Sequence, residues 1–280
     1  MASSKERIDV LLVELGFFPS REKAKAALMA GLVLVDNEPV DKSGMKVDRE
    51  SDIKVKGSVH PYVSRGGLKL EKAIRDFGLD LTGRTMLDIG ASTGGFTDCA
   101  LQHGAGHVYA IDVGYNQLDW SLRQDARVTV MERVNFRFMT PEDIQGARPD
   151  FASIDVSFIS LKLILPPLSQ LLDEGADVVA LIKPQFEAGR EKVGKAGIVR
   201  EPAVHREVLH SVLEAADACG FALVDLTYSP ITGGEGNIEF LARWKRSGEE
   251  KDGAAGAAGW SSEQIGQVVR EAGERFGSGK

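Results

Sequence analysis

Four ionisable residues stand where chemistry could be done: Lys69, Asp155, Lys183 and Glu239. Asp155 follows the mostly apolar run 151–154 and Lys183 follows the mostly apolar run 177–182, so each reads as the first residue beyond a buried strand. Glu239 lies between Ile238 and Phe240 and faces the opposite way in a strand pattern that runs on to Trp244. Lys69 falls in the first turn of a helix whose apolar face is Leu68, Leu70, Ala73, Ile74 and Phe77. A cation there opposes the positive partial charge of the helix start, which hints at another task. A lysine takes up a proton only when neutral, and both desolvation and a second cation nearby favour its neutral form. The set suits removal or steering of a proton, with Lys183 as the base or orienting group, Lys69 as its like-charge neighbour, and Asp155 and Glu239 as orienters. An ion network at the edge of a sheet accounts for the same residues equally well.

The element that must position them is residues 85–97, TMLDIGASTGGFT. It reads as a strand, a tight glycine turn and the start of a helix, an arrangement that lets backbone N–H groups meet a ligand closely. The glycines are not spaced as in the dinucleotide fingerprint. The form Asp-x-Gly-x-x-x-Gly-Gly instead resembles the first motif of S-adenosylmethionine-dependent methyltransferases. That resemblance implies cofactor contacts from Asp88, Gly90, Ser92, Gly94, Gly95 and Phe96, with Asp155 nearby. A second strand, 107–111, ends in Asp112, 22 residues past Gly90. An acid at that point can accept both hydroxyls of a ribose. Asp143, after Thr140-Pro141-Glu142, is placed to meet an adenine amino group, or equally to start a helix as a dipole-stabilising acid.

Composition bounds the rest. The chain has 280 residues, 43% hydrophobic content and a net charge of −7, which suits one α/β domain with a small companion. No apolar run approaches the roughly 18 residues of a membrane span, and the start MASSKERID lacks the apolar core of a secretory signal. Cys99 and Cys219 support neither a disulfide framework nor a metal site, so a cytoplasmic home and no metal are expected. The charge is uneven: residues 54–75 hold six Lys or Arg and one acid, Glu71. Such a patch is compatible with nucleic acid and also with a solvated face.

Residues 5–57 read as two short helices followed by small strands, with a turn at Asp36-Asn37. Arg7, Asp9, Gly16, Ser20, Arg21, Glu22, Ala24, Gly31, Val33, Val35 and Asn37 carry a resemblance to the RNA-binding domain first seen in ribosomal protein S4. It implies binding of structured RNA, with Arg7, Arg21 and Lys25 toward phosphates and Arg65 as a further basic contact beyond the module. Further strands are expected at 128–131, 151–154, 177–182, 221–228 and 238–244, and helices at 161–172, 203–219 and 265–276. The last two strands suit an antiparallel hairpin closing an otherwise parallel sheet.

The blocks SRGGLKL, LDIGASTGGFT, IDVSFISL, LIKPQFE and GNIEFL, in that order, complete the picture. Lys69, Asp155, Lys183 and Glu239 match the Lys-Asp-Lys-Glu tetrad of FtsJ-like RNA ribose methyltransferases, and the whole chain resembles the TlyA family of rRNA 2′-O-methyltransferases, also known as haemolysins. The resemblance implies a Rossmann-like α/β domain with a seven-stranded, mostly parallel sheet, and S-adenosyl-L-methionine as cofactor. It further implies cytidine in ribosomal RNA as substrate and ribosomal subunits as partners; the oligomeric state is left open, with a monomer favoured. The organisation it implies is an RNA-binding domain at 1–59, a linker at 60–64, a methyltransferase domain at 65–246, and a linker with a terminal helix at 247–280. Base methylation is the nearest competitor, because Asp155-Val-Ser-Phe158 faintly resembles an amino-methylating motif, although both prolines are absent. A membrane-lysing protein and a non-catalytic ribosome-assembly factor are more distant competitors.

Overall fold

The computed structural model describes residues 5–18, 20–29, 31–55, 60–194, 196–234, 236–247 and 260–277. The chain divides into two compact units, Met1–Pro61 and Tyr62–Lys280. In the first unit, α1 (Ile8–Glu14) and α2 (Arg21–Met29) follow a short β1 (Lys5–Arg7), and then come β2 (Val33–Val35), β3 (Glu38–Pro39), β4 (Lys46–Asp48) and β5 (Ile53–Val55). Ile8, Leu11 and Leu12 of α1 and Ala24, Ala27 and Leu28 of α2 recur at helical spacing and make the core with Val33, Val35 and Val47. Asp36 and Asn37 both take positive φ, as a two-residue hairpin turn requires, and join β2 to β3. The ribbon β1–β4, which sequence periodicity does not announce, pairs antiparallel.

The second unit is built on a seven-stranded sheet. Its strands are β6 (Thr85–Ile89), β7 (His107–Asp112), β8 (Val128–Glu132), β9 (Phe151–Ile154), β10 (Asp177–Ile182), β11 (Phe221–Tyr228) and β12 (Phe240–Arg246), in the order β11-β12-β10-β9-β6-β7-β8. The pairs from β10 to β8 are parallel, and β12 runs antiparallel to both of its neighbours. Alternation with period two splits the core between the faces. Met86, Val179, Leu181 and Leu241 join α3 (Gly67–Phe77) and α4 (Gly95–Gln102) on one side. Leu87, Ile89, Val178, Ala180, Ile182 and Trp244 join α6 (Leu165–Leu171), α8 (Pro202–Ala218) and α9 (Ser262–Phe276) on the other. The short helices α5 (Trp120–Arg123) and α7 (Pro184–Glu187) follow β7 and β10.

Beyond shifts of one to three residues at element ends, three features differ from the sequence reading. The helix expected at 161–172 is a 3-10 turn at Leu161–Leu163 followed by α6, because Pro166 and Pro167 lack the N–H groups a continuous helix would use. The last strand begins at Phe240, so Ile238 and Glu239 precede it. Residues 62–64, read as linker, belong to the second unit. Tyr62 is buried and donates to Glu71 Oε1 at 2.8 Å, and the Val63 N–H donates to Asp98 Oδ2 at 2.7 Å. Residues 56–59, the end of the expected RNA-binding domain, and 248–259, most of the second expected linker, lie outside the described residues. Helix α9 packs on α8 and β11 through Ile265, Val268, Val269 and Ala272. No helix among the described residues is long and apolar enough to cross a membrane.

Asp9 organises the first unit. Its carboxylate is fully covered and accepts from Arg7 Nε at 3.0 Å and from an Arg21 guanidinium nitrogen at 2.8 Å. The Arg7 hydrogen bonds, helped by Arg21 and opposed by burial, hold its carboxyl down to about 2. The folded value lies below the ordinary 3.8, so this stabilisation is present above the ordinary value and is lost as pH falls toward 2. Both guanidiniums are nearly half exposed, so the pairs are partly screened. Replacing Asp9 by Asn is expected to lower the unfolding free energy by about 1 kcal/mol at neutral pH and to flatten its acid dependence between about pH 4 and 2. Urea titrations of both proteins across that range check the expectation.

Candidate active site

The carboxyl edge of the sheet gathers the chemistry. Asp112 ends β7, Asp155 follows β9 and Lys183 follows β10. Register explains how Glu239 joins them. In the antiparallel pair β10–β12, Ile182 lies opposite Phe240, so the residue before β12 reaches the edge where the residue after β10 emerges. Lys69 arrives from the first turn of α3, which packs against α4 and β12.

The four side chains meet in one cleft. Lys183 Nζ lies 2.5 Å from Asp155 Oδ1, and Lys69 Nζ lies 3.3 Å from Asp155 Oδ2 and 2.8 Å from Glu239 Oε2. Lys183 also donates to Ser157 Oγ at 3.0 Å. Lys69, Lys183 and Glu239 are buried, and a cation on an otherwise awkward helix start is thereby explained by its two carboxylate partners. Burial opposes the charged form of Lys69, yet Asp155 and Glu239 outweigh it and raise its pKa. Burial likewise opposes ionisation of Asp155, and Lys69 and Lys183 together overcome it and hold its carboxyl below the ordinary range. Lys69 is therefore a fixed cation. The like-charge neighbour expected beside Lys183 lies across the Asp155 carboxylate, which stands between the two ammonium groups.

Two connected cavities surround the cleft. One, of about 620 Å³, is lined by all four residues together with Arg65, Gly95 and Phe96. The other, of about 440 Å³, is lined by Asp112, Val134, Asn135 and Phe136. Gly90, Ser92, Asp155, Ser157 and Phe158 line both. Asp112 accepts from the N–H groups of Ser92 at 2.8 Å and Gly114 at 2.7 Å, which leaves acceptor capacity on each oxygen.

Three residues read as ligand contacts line neither cavity. Asp88 is fully buried and accepts from Thr97 Oγ1 at 2.6 Å and Ser153 Oγ at 2.9 Å. Burial raises its pKa to about 6 against those two hydrogen bonds, and its part is to tie the glycine turn to β9. Gly94 is needed for its backbone conformation: it has φ +97°, which strains any other residue, and a Cβ there would also press on Leu122 and Leu118. Asp143 accepts from the Thr140 N–H at 2.8 Å and caps the short turn Pro141–Asp143, since a helix start needs such an acceptor. Val134, Asn135 and Phe136 line the second cavity, and Asp143 does not. Among the predicted RNA contacts, Arg7 and Arg21 are held by Asp9, Lys25 is half-buried on α2, and Arg65 is exposed at the cavity of the tetrad.

Periodicity missed further features. Phe158 has φ +64° and is 90% exposed, and its ring lies 5.0 Å from that of Phe186 at the cavity wall. A bulky residue in the left-handed region is strained, and such strain collects at working sites. The two rings offer an unpaired base a stacking surface. Asn237 accepts from the Val199 N–H and donates to the Gly197 carbonyl, both at 2.9 Å, while His205 Nε2 donates to the Val199 carbonyl at 3.0 Å. These contacts fasten the loop through Val193 and Gly197 beside Glu239. The only hint in sequence is that Asn237 and Glu239 are two apart.

Gly90 is the tightest backbone approach in the site. Its φ is +86°, and a Cβ would lie 2.6 Å from the Asp155 carbonyl oxygen. Gly90→Ala is expected to destabilise the second unit by about 2–4 kcal/mol through strain and displacement of the Asp155 segment. Chemical denaturation measures this, and a change under about 0.5 kcal/mol would contradict the stated packing.

With this geometry in hand, similarity becomes informative. A family model described as FtsJ-like methyltransferase matches residues 62–246, and one described as S4 domain matches residues 6–53. The chain is 57% identical over 272 residues to a Bacillus subtilis protein with the provisional name rRNA methyltransferase YqxC, covering 97% of this chain and 95% of that one. It is 43% identical over 256 residues to the 16S/23S rRNA (cytidine-2'-O)-methyltransferase TlyA of Mycobacterium tuberculosis, covering 91% and 94%. A solved Streptococcus thermophilus structure, provisionally titled a hemolysin, superposes with a TM-score of 0.76 at 51% identity, covering 99% of this chain and 98% of that one. A seven-stranded sheet with one antiparallel strand, a glycine turn at its carboxyl edge and a match over residues 62–246 lead to one conclusion: the chain belongs to the FtsJ-like methyltransferase family and carries an S4 domain before its catalytic fold.

Proposed function

We propose that this protein methylates the ribose 2′-hydroxyl of cytidine in ribosomal RNA, with S-adenosyl-L-methionine as methyl donor. The observation that supports this best is the cleft in which Lys69, Asp155, Lys183 and Glu239 meet at the end of the cofactor cavity. The cavity suits that cofactor. Asp112 has spare acceptor capacity for a ribose diol, Val134 and Phe136 offer apolar walls for an adenine, and Gly90 and Ser92 bring backbone close to the ligand.

When bound, the cofactor supplies an electrophilic methyl group on a sulfonium. A ribose hydroxyl is a weak nucleophile, so the protein's contribution is mostly positioning and proton removal. Lys183, which shares Asp155 and touches Ser157, meets the 2′-hydroxyl and takes its proton, for which its amine must be neutral at the moment of transfer. Lys69 remains charged and fixes both carboxylates, and Glu239 and Asp155 hold the two lysines apart and in line. Phe158 and Phe186 receive the base.

The RNA grip falls to residues 1–59 as the RNA-binding module, with Arg7, Arg21 and Lys25 toward phosphates, and to Arg65 at the start of the catalytic domain of residues 65–246. The partner is a ribosomal subunit and the compartment is the cytoplasm. These readings rest on the S4 match and on the activity carried in the name of the Mycobacterium tuberculosis relative.

The test is to incubate the protein with cofactor and ribosomal RNA and map phosphodiesters that resist alkali, because only 2′-O-methylation blocks alkaline cleavage. Lys183→Ala is expected to bind S-adenosylmethionine within about threefold of the parent while turnover drops by about 10²-fold or more. Near-parental turnover in Lys183→Ala would remove this lysine from the reaction, and a parent that leaves no resistant position would remove the activity itself.

A further inference from the structure

Glu187 takes no part in the reaction as drawn, yet both oxygens of its carboxylate are engaged. Oε2 accepts from Ser160 Oγ at 2.6 Å and Oε1 accepts from the Leu161 N–H at 2.8 Å. Glu187 closes α7, the single turn that begins right after Lys183. Ser160 and Leu161 close the segment that begins at Asp155. The first end of that segment is fastened to the sheet, where the Asp155 N–H donates to the Ile89 carbonyl at 3.0 Å. Between the two ends sit Ser157, which touches Lys183, and Phe158 in its left-handed conformation.

We infer that Glu187 is a positioning residue whose carboxylate clasps the segment after Asp155 to the turn after Lys183, and so sets the Asp155–Lys183 pair and the Phe158–Phe186 wall. This rests on the 2′-O-methylation reading of the same cleft. A left-handed phenylalanine that is almost wholly exposed cannot be held by burial. It persists only when its neighbours over-determine it, and the clasp two residues later does so together with the Lys183–Ser157 bond one residue before. The Phe158–Phe186 ring contact joins the same two segments at a second point. A carboxylate suits the task because it accepts from a hydroxyl and a backbone N–H at once, with a charge that strengthens both bonds.

The test uses the full chain with Glu187→Gln, Ser160→Ala and the double substitution. Glutamine keeps the shape but turns an amide N–H₂ toward one of the two donors. For Glu187→Gln, kcat is expected to fall by about 10- to 100-fold, while the affinity for S-adenosylmethionine and the KM for RNA stay within about threefold. Ser160→Ala is expected to show a smaller loss in the same direction, and the double variant is expected to be no slower than Glu187→Gln alone. Hydrogen exchange at the Leu161 amide, read without RNA, is expected to quicken by about tenfold or more in Glu187→Gln. Unchanged exchange at Leu161, or a kcat within about twofold of the parent, overturns the clasp. The exchange measurement decides even if the parent proves inactive on RNA, a result that would count against the proposed activity instead. If Glu187→Gln fails to fold, kcat in Ser160→Ala decides the same question, and a parental value there overturns the clasp.

Discussion

Two ammonium groups share a buried cleft here because a carboxylate stands between them. Asp155 presents one oxygen to Lys183 and the other to Lys69, and Glu239 completes the charge balance from the far side of Lys69. Without that arrangement the desolvation of two cations would be prohibitive. Everything around the cleft serves to bring these groups, far apart in the chain, to one point. The parallel strands β9 and β10 deliver Asp155 and Lys183 side by side, α3 drops Lys69 onto them, and the reversed β12 supplies Glu239. The two lysines end up unequal. Lys69 has two carboxylates and is locked as a cation, whereas Lys183 has one oxygen of Asp155 and a hydroxyl.

The sheet is rigid where it needs to be, and its edge carries the strain. Its central strands are buried on both faces and tied by parallel ladders. Beyond their ends the backbone takes conformations that ordinary residues avoid, at Ser92 and Phe158 as well as at Gly90. Such positions persist because side chains fasten the loops back onto the scaffold. Asp88 ties the glycine turn to β9, Glu187 ties the segment after β9 to α7, and Asn237 with His205 holds the loop at Val199. Burial lowers the pKa of His205 against its hydrogen bond to the Val199 carbonyl, and the ring packs edge-on against Phe240. In the first unit the same logic appears in miniature: Asp9 pins two arginines while leaving each nearly half exposed, so a structural pair can also present positive charge.

Several of these roles are invisible to periodicity. An acid before a glycine turn reads as a ligand contact, but Asp88 faces inward because β6 is buried on both sides and alternation points its side chain toward Thr97 and Ser153. Asp143 reads as an adenine contact, yet the nearest unmet need is the N-terminus of its own turn. Glu187 carries no signal in local pattern, and its role appears only when the fold brings Ser160 to it. In each case the deciding neighbour lies elsewhere in the chain or depends on which way a side chain turns.

What the sequence by itself determined is the layering and the inventory. Apolar runs of strand length, the glycine turn after Ile89, the acids and lysine at strand ends, and the helical stripes of α3, α8 and α9 follow from local pattern, because burial imposes a period of 2 or 3.6 wherever a chain is half covered. What only the tertiary structure decided is partnership. Insertion of β12 between β10 and β11 turns a residue before a strand into a neighbour of one after a strand, and the interposed Asp155 changes two repelling lysines into a balanced group. The reason is physical: local pattern records which residues must leave water, while charge pairing depends on distances of a few ångströms between segments whose separation along the chain carries no such information.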